Sequence, residues 1–490
     1  MRSPRSEMEY NPRKPEKQIS RLGGGRCPVA ELLRPPSGTL TVNLGGAAAP
    51  LVLGIAGVPT SFTFGSTTAN SETEFVHAIN LNGKTLALRV DNNVDTAGDF
   101  ATFSGVLSNG ALSKSGFGTV ALTGFNTHTG ATSVSDGAVR ARDGLGLPTA
   151  SNLCFSGHSS GGTGVWESEG PATFTRGLGT GAGQVQWTGT GGFSAHGGKL
   201  TVAIGGTASP TPLTWGSGNF VPAYSALVFG STTADSETEF MNSIDLAGAA
   251  RTVSVIDNPF SAGDFATLSG TLSNRSLVKD GPGLLVLKGS HTYTGASTVL
   301  AGTLELAAGA ALASTTFDVK GGARLDLRDL VGGLTLGAGK SIKGGGTVLG
   351  DLVVGGKVAP GESPGILSVG NVRFASGGTL EIELGGTVRG TGYDVLASSG
   401  NMVLQEGSAL VVTLVNSFIP DLGDQFDILD FAGASGHFTT IDLPPLGSGL
   451  SWDTGDLYTS GTISVAPEPA AVLLLALGGL AVVARRRGRK

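Results

Sequence analysis

Residue types that commonly carry chemistry are present in this chain, but they do not converge. The six histidines (His77, His128, His158, His196, His291 and His437) never form HxH or HxxH pairs, so no metal-ligand spacing is visible. Cys27 and Cys154 are the two cysteines, and neither belongs to a CxxC. That excludes a disulfide framework and a redox pair, and Cys154 reads as a small buried residue. Gly361-Glu362-Ser363-Pro364-Gly365 has the letters of a nucleophile elbow, yet Pro364 and the lack of a following helical pattern make it a turn. The glycine run Gly177–Gly183 is followed by Gln184-Val185-Gln186-Trp187-Thr188, which alternates like a strand instead of opening the helix a phosphate site needs. Asp91–Asp99 spaces its side-chain oxygens like a calcium loop but lacks the closing glutamate. A later version of it, Ile256-Asp257-Asn258-Pro259-Phe260, keeps one of the three alternating ligands. A polar turn is expected there. The acidic residues look scattered, so no catalytic, metal or cofactor-binding residue is assigned.

That later version belongs to a tandem duplication. Residues 64–137 recur 165 positions later with 39 identities in 74. Upstream, Leu40-Thr41-Val42 matches Leu200-Thr201-Val202 at an offset of 160. Within each copy the apolar period is two: leucines alternate with polar residues in Gly302-Thr303-Leu304-Glu305-Leu306 and in Thr379–Leu384. Such runs, bounded by pairs such as Asn82-Gly83 and Asp136-Gly137, read as short half-buried strands. Leu285, Leu287, Leu304 and Leu306 should point inward, and Lys288 and Glu305 outward. Many short strands in a repeated unit suit a solenoid of stacked rungs, since no rung can bury its apolar face alone.

Composition agrees. There are 81 Gly in 490 residues, 14% charged residues and 40% apolar ones, which favours an all-β protein with many tight turns over a disordered chain. The net charge of −6 hides an acidic body, because residues 1–34 and 485–490 are both basic. A body without a basic stripe excludes nucleic-acid binding as a function class.

Gly281–Leu306 resembles the autotransporter-associated β-strand repeat through its Gly-Pro-Gly-Leu-Leu-Val-Leu start, His-Thr-Tyr-Thr-Gly centre and Gly-Thr-Leu-Glu-Leu end. Residues 116–141 are similar, with His128 in place of the tyrosine and Val139 in place of a leucine. The resemblance implies a right-handed parallel β-helix of the pectin-lyase-like type. Gly344–Gly365 is similar to β-helix rungs of exported passenger proteins.

The C-terminus resembles a PEP-CTERM sorting tail: Pro467-Glu468-Pro469, the fifteen uncharged residues Ala470–Ala484, then Arg485, Arg486, Arg487, Arg489 and Lys490. Fifteen helical residues span about 22 Å, short of the roughly 30 Å hydrocarbon core, which suits a transient anchor. The basic cluster should stay cytoplasmic. The resemblance implies an exosortase-type membrane sorting protease as partner. Residues 1–36 contain no apolar signal stretch, so a mis-called or truncated start is expected.

The expected organisation is a disordered leader (1–36), two β-solenoid units (37–196 and 197–336), C-terminal rungs with a β cap (337–465), and a tail with one transmembrane helix (466–490). The expected function is that of an exported structural or adhesive protein of the cell surface or extracellular matrix, associated with extracellular polysaccharide and not an enzyme. The alternative is a β-helical polysaccharide lyase or hydrolase. A carboxylate cluster with a nearby lysine on one face would favour the enzyme; a bare Ser/Thr-lined face would favour the structural role.

Overall fold

The computed structural model describes residues 39–42, 50–55, 58, 60–68, 71–96, 100–158 and 161–468. Every regular element among them is a β-strand. The leader assigned to 1–36 and the helix assigned to Ala470–Ala484 lie outside the described residues. Among the described residues no helix is long and apolar enough to cross a membrane. The chain divides into two compact units, Met1–Ser273 with Gly281–Val286, and Asn274–Asp280 with Leu287–Lys490.

In the first unit each coil returns to pair in parallel with the one before it. One sheet runs Leu40–Val42, Thr73–Phe75, Ala101–Phe103, Thr119–Leu122, Ala138–Ala141, Val165–Glu169, Gly191–His196, Leu227–Phe229 and Ala250–Val255. A second stacks Ser61–Phe64, Thr85–Val90, Ala111–Ser115, Thr132–Val134, Leu153–Phe155 and Val185–Trp187. A third begins at Ala172–Phe174 and continues through Leu200–Val202, Thr238–Phe240 and Ala266–Leu268. This is the stacked-coil arrangement of a β-solenoid.

The duplicated strands do not keep their sheet. Thr73–Phe75 lies in the first sheet, whereas its counterpart Thr238–Phe240 lies in the third. Thr85–Val90 lies in the second, and its counterpart Ala250–Val255 in the first. The local coil survives duplication while its place around the core shifts by one side. Parallel pairing permits this, because it asks only for matching in–out alternation.

Corners are tight. Gly116 and its counterpart Gly281 both have positive φ, 76° and 77°, and a side chain there would run into the carbonyls of Val90 and Val255 respectively. Inward positions stack aromatics in this unit: Phe174 and Phe193 ring centres are 5.0 Å apart, Phe155 and Trp187 5.0 Å, and Trp166 and Phe174 5.2 Å.

The second unit has the same construction. Its long sheet includes Ala296–Val299, Thr316–Val319, Ser341–Gly344, Lys357–Pro360, Thr379–Leu384, Ala409–Leu414 and Thr440–Asp442, all parallel. Parallel pairing therefore continues past residue 400. It gives way to a three-stranded antiparallel sheet in which Thr462–Pro467 lies between Gln425–Asp427 and Leu450–Asp453. Phe426, Ile428 and Ile463 are buried there.

Leu285, Leu287, Leu304 and Leu306 are buried and Lys288 is exposed, as the alternation predicts. Glu305 differs: it is half-buried, with its carboxyl raised by burial and then by Asp329 and Asp326, acids from the neighbouring coil. Phe193→Ala should lower the unfolding free energy by about 3–5 kcal/mol, since the ring sits fully buried among Phe155, Trp166, Phe174 and Trp187. Chemical denaturation followed by tryptophan fluorescence checks this.

Candidate functional site

The first candidate site is the start of the sorting motif. Pro467 ends the central strand of the antiparallel sheet, opposite Leu450. The Glu468 amide donates to the Gly449 carbonyl at 2.9 Å. Both side chains are exposed, while Val465, two residues earlier, is 3% exposed. The motif thus leaves the folded body with no spacer. Pro469 and the basic residues Arg485, Arg486, Arg487, Arg489 and Lys490 lie outside the described residues.

The second candidate was not legible in the linear sequence. The acids that looked scattered are brought together on the outer side of the second unit's long sheet. Stacking sets Asp318 beside Lys343, Lys343 beside Ala359, and Glu381 beside Val411. Outward residues one coil apart lie about 4.8 Å apart whatever their sequence separation. The result is a groove of about 390 Å³ lined by Asp318, Lys320, Lys343, Glu362, Glu381 and Glu383 among others. Lys320 bonds Asp318 at 3.2 Å and Glu362 at 3.3 Å, and Lys357 bonds Glu381 at 2.5 Å. Under the groove, Asp394 is 2% exposed and accepts the amides of Gly365 and Glu383 at 2.7 and 2.9 Å. Burial outweighs those bonds and pushes its carboxyl up to about 7.

The first unit has a carboxylate and lysine cluster of its own, with Lys199 bonded to Glu237 at 3.0 Å and Glu239 at 2.7 Å, and also an uncharged row. Ser113, Ser133 and Cys154 stack as an outward row on consecutive coils. Cys154 is buried, with its Sγ 3.5 Å from the Thr188 hydroxyl.

Sequence reasoning missed several buried polar groups. Lys114 has no exposed surface and donates to the carbonyls of Ser115, Gly116 and Asp136 at 3.0, 2.7 and 3.0 Å. Burial pushes its ammonium down to about 7 against the pull of Asp136 and Asp91. Its counterpart Lys279, equally buried, bonds the carbonyls of Asp280 and Ala301. The signal was available: a lysine kept at an inward position in both copies. The histidine substitution also proves consistent between copies. His128 Nε2 lies 2.9 Å from the Thr132 hydroxyl, and Tyr293 places its hydroxyl 2.6 Å from Ser297 at the matching position. An aromatic group bonded to a hydroxyl four residues on is the retained feature.

The loop Gly230–Asp235, nearly identical to 65–70, also has a role that repetition alone did not reveal. Glu167, fully buried, receives Arg140 at 2.7 Å, Ser194 at 2.9 Å, Thr233 at 2.9 Å and the Ser231 hydroxyl. In the first copy, Thr67 and Thr68 of the same motif are exposed. The glycine run and the Gly361–Gly365 segment are loops between strands, as expected. Asn152 Nδ2 donates to the carbonyls of Gly179 and Gly181, so that run is tied down by its own protein. In the Asp91 loop, the Asp95 amide donates to Asn93 Oδ1 at 3.1 Å, and Asp99 lies outside the described residues.

Two expected outcomes follow from these buried groups. The folded Asp394 holds a proton that the unfolded chain, with its ordinary carboxyl near 3.8, releases. Its contribution to stability is therefore complete below about pH 4 and is lost as pH rises through about 7. Denaturation midpoints measured from pH 4 to 8 should fall more steeply in the wild type than in Asp394→Asn, which cannot ionise. Lys114→Met should destabilise the first unit by about 1–3 kcal/mol by leaving three carbonyls without donors, read as a lowered melting transition.

Comparison with family models places a passenger-associated-transport-repeat at residues 112–141 and again at 277–306. These contain the two segments singled out from the sequence. A PEP-CTERM protein-sorting motif is matched at 465–488, which implies export to the cell envelope or surface and processing by an exosortase. Comparison with curated proteins finds no significant match. The chain therefore carries a PEP-CTERM protein-sorting motif at its C-terminal end and two passenger-associated-transport-repeats among its stacked β-strands.

Proposed function

We propose that this protein is a structural or adhesive component of the cell surface or extracellular matrix, exported and then sorted through its tail. The observation that carries the reading is the exposed Pro467-Glu468 at the end of the last strand, within the matched sorting motif. In this reading the coils wind right-handedly, the sense parallel strand connections favour. Ala470–Ala484 inserts in the inner membrane with Arg485, Arg486, Arg487, Arg489 and Lys490 on the cytoplasmic side. The polar outer rows, Ser113 and Ser133 among them, then meet extracellular polysaccharide.

The carboxylate and lysine groove of the second unit supports a second reading, polysaccharide cleavage. Acid–base work on a glycan needs one carboxyl that holds a proton near neutral pH and another that stays ionised. Asp394, raised to about 7, has the first property. Both its oxygens are engaged by backbone amides, however, which fits a role in fixing the Gly361–Gly365 loop better than proton delivery.

Two measurements separate these readings. Residues 37–465, incubated with acidic polysaccharides, should release no unsaturated or reducing ends. Turnover abolished by Glu383→Gln would overturn the structural role. With residues 440–490 fused to an exported reporter in a host that has the protease, replacing Pro467-Glu468-Pro469 by Ala should leave a larger, membrane-bound form. Equal size and location for both tails would make the motif incidental.

A further inference from the structure

The antiparallel sheet bears on where the tail can be cut. We infer that the sheet sets the N-terminal limit of processing, so that the mature body retains Pro467 and Glu468 and every cleavable bond lies after Glu468. This deepens the sorting reading and rests on it.

Thr462–Pro467 is the central strand of its sheet: Thr462–Ser464 pair on one edge with Gln425–Asp427, and Ser464–Pro467 pair on the other with Leu450–Asp453. On one side Phe426 faces Ile463 and Gln425 faces Ser464, and the ladder extends as Val465 donates to Asp424 and accepts from Gly423, at 2.9 and 3.0 Å. On the other side Leu450 faces Pro467 and Trp452 faces Val465. The Glu468 amide continues this ladder onto Gly449. A protease binds its substrate as an extended strand through the same amides and carbonyls. Here one edge is already engaged up to and including the Glu468 amide, and the other as far as Val465.

Side chains reinforce the limit. Ile463 and Val465 are buried at 0% and 3% exposure, beneath Phe426, whose ring lies 5.9 Å from Trp452. Peeling the strand to present a bond before Pro467 would expose this cluster. Pro467 and Glu468, by contrast, show their side chains to solvent. A sorting enzyme can read them in place while the bond it breaks lies beyond them. Water then adds across that bond, leaving a carboxylate on the body and an amine on the released tail.

The test uses the full chain behind a host export signal, in cells with and without the sorting protease, and determines the C-terminal residue of the mature body by mass spectrometry. One end at Glu468 or later is the expected result. An end anywhere from Thr462 to Pro467 overturns the inference while leaving the sorting reading intact. If no protease-dependent cleavage occurs, the sorting reading fails, and amide exchange on the same protein decides the inference. Val465 and Glu468 amides slowed at least 100-fold relative to an unstructured peptide support a protected strand; exchange at the unstructured rate refutes it.

Discussion

Parallel, in-register stacking of one coil on the next is the interaction on which the rest of this molecule depends. Each strand leaves its amides and carbonyls unsatisfied until its neighbour arrives, and each inward side chain finds its partner at the same position one coil on. Leu304 packs in line with Leu325, and Leu325 with Val348. Such ladders bury leucine and valine at a cost in regularity, because every coil must close within tight corners. That requirement explains a chain with 81 Gly. It also explains the low charge, since an outward residue repeated on every coil would otherwise stack like charges about 4.8 Å apart. In the second unit one row meets the problem by alternation, with Lys343 set between Asp318 on one side and Ala359 on the other, whereas Glu305 stacks on Asp326, whose charge Arg328 pairs.

Corners create a second demand. Carbonyls at a corner point away from both sheets and must find donors inside the protein. Lys114, Asn126 and Arg176 supply them. Asn126 accepts the Leu107 amide and donates to the Gly146 carbonyl, both at 2.8 Å, so one amide group ties adjacent coils. Arg176 donates to the carbonyls of Ser151 and Pro148 at 2.6 and 2.9 Å and pairs with Asp143, which secures the loop before Leu153. Polar side chains here complete the fold's hydrogen bonds, and their burial is no sign of catalysis.

This division accounts for what could be read from the sequence. Alternation within a strand is local, so the inward leucines at 285, 287, 304 and 306 were legible. The duplication and the sorting motif were legible because they are strings of residues. Which strands become neighbours was not, because parallel pairing is non-local and tolerant of any strand with the right parity. Hence the shift of Thr238–Phe240 into a sheet its counterpart Thr73–Phe75 does not join. The groove was hidden for the same reason: Asp318, Glu362 and Glu381 are separated along the chain and meet only through coil stacking. Glu305 looked like an ordinary outward residue, and its half-burial comes from the next coil, where Asp326 and Arg328 form an ion pair at 2.6 Å.

Beyond the last parallel coil the final strands change direction, and Thr462–Pro467 pairs with Gln425–Asp427 through its first half and with Leu450–Asp453 through its second. This central strand is also the last strand of the described body and runs directly into the sorting motif. The two features share residues: Val465 fills the interior of the sheet, and Glu468 still donates to it. Completion of the body and display of the motif are consequently the same structural event. A chain whose Gln425–Asp427 and Leu450–Asp453 strands have not yet closed on Thr462–Pro467 would present a longer extended segment ahead of the motif than the folded protein does. The folded form therefore gives a sorting enzyme a defined boundary between what is kept and what is removed.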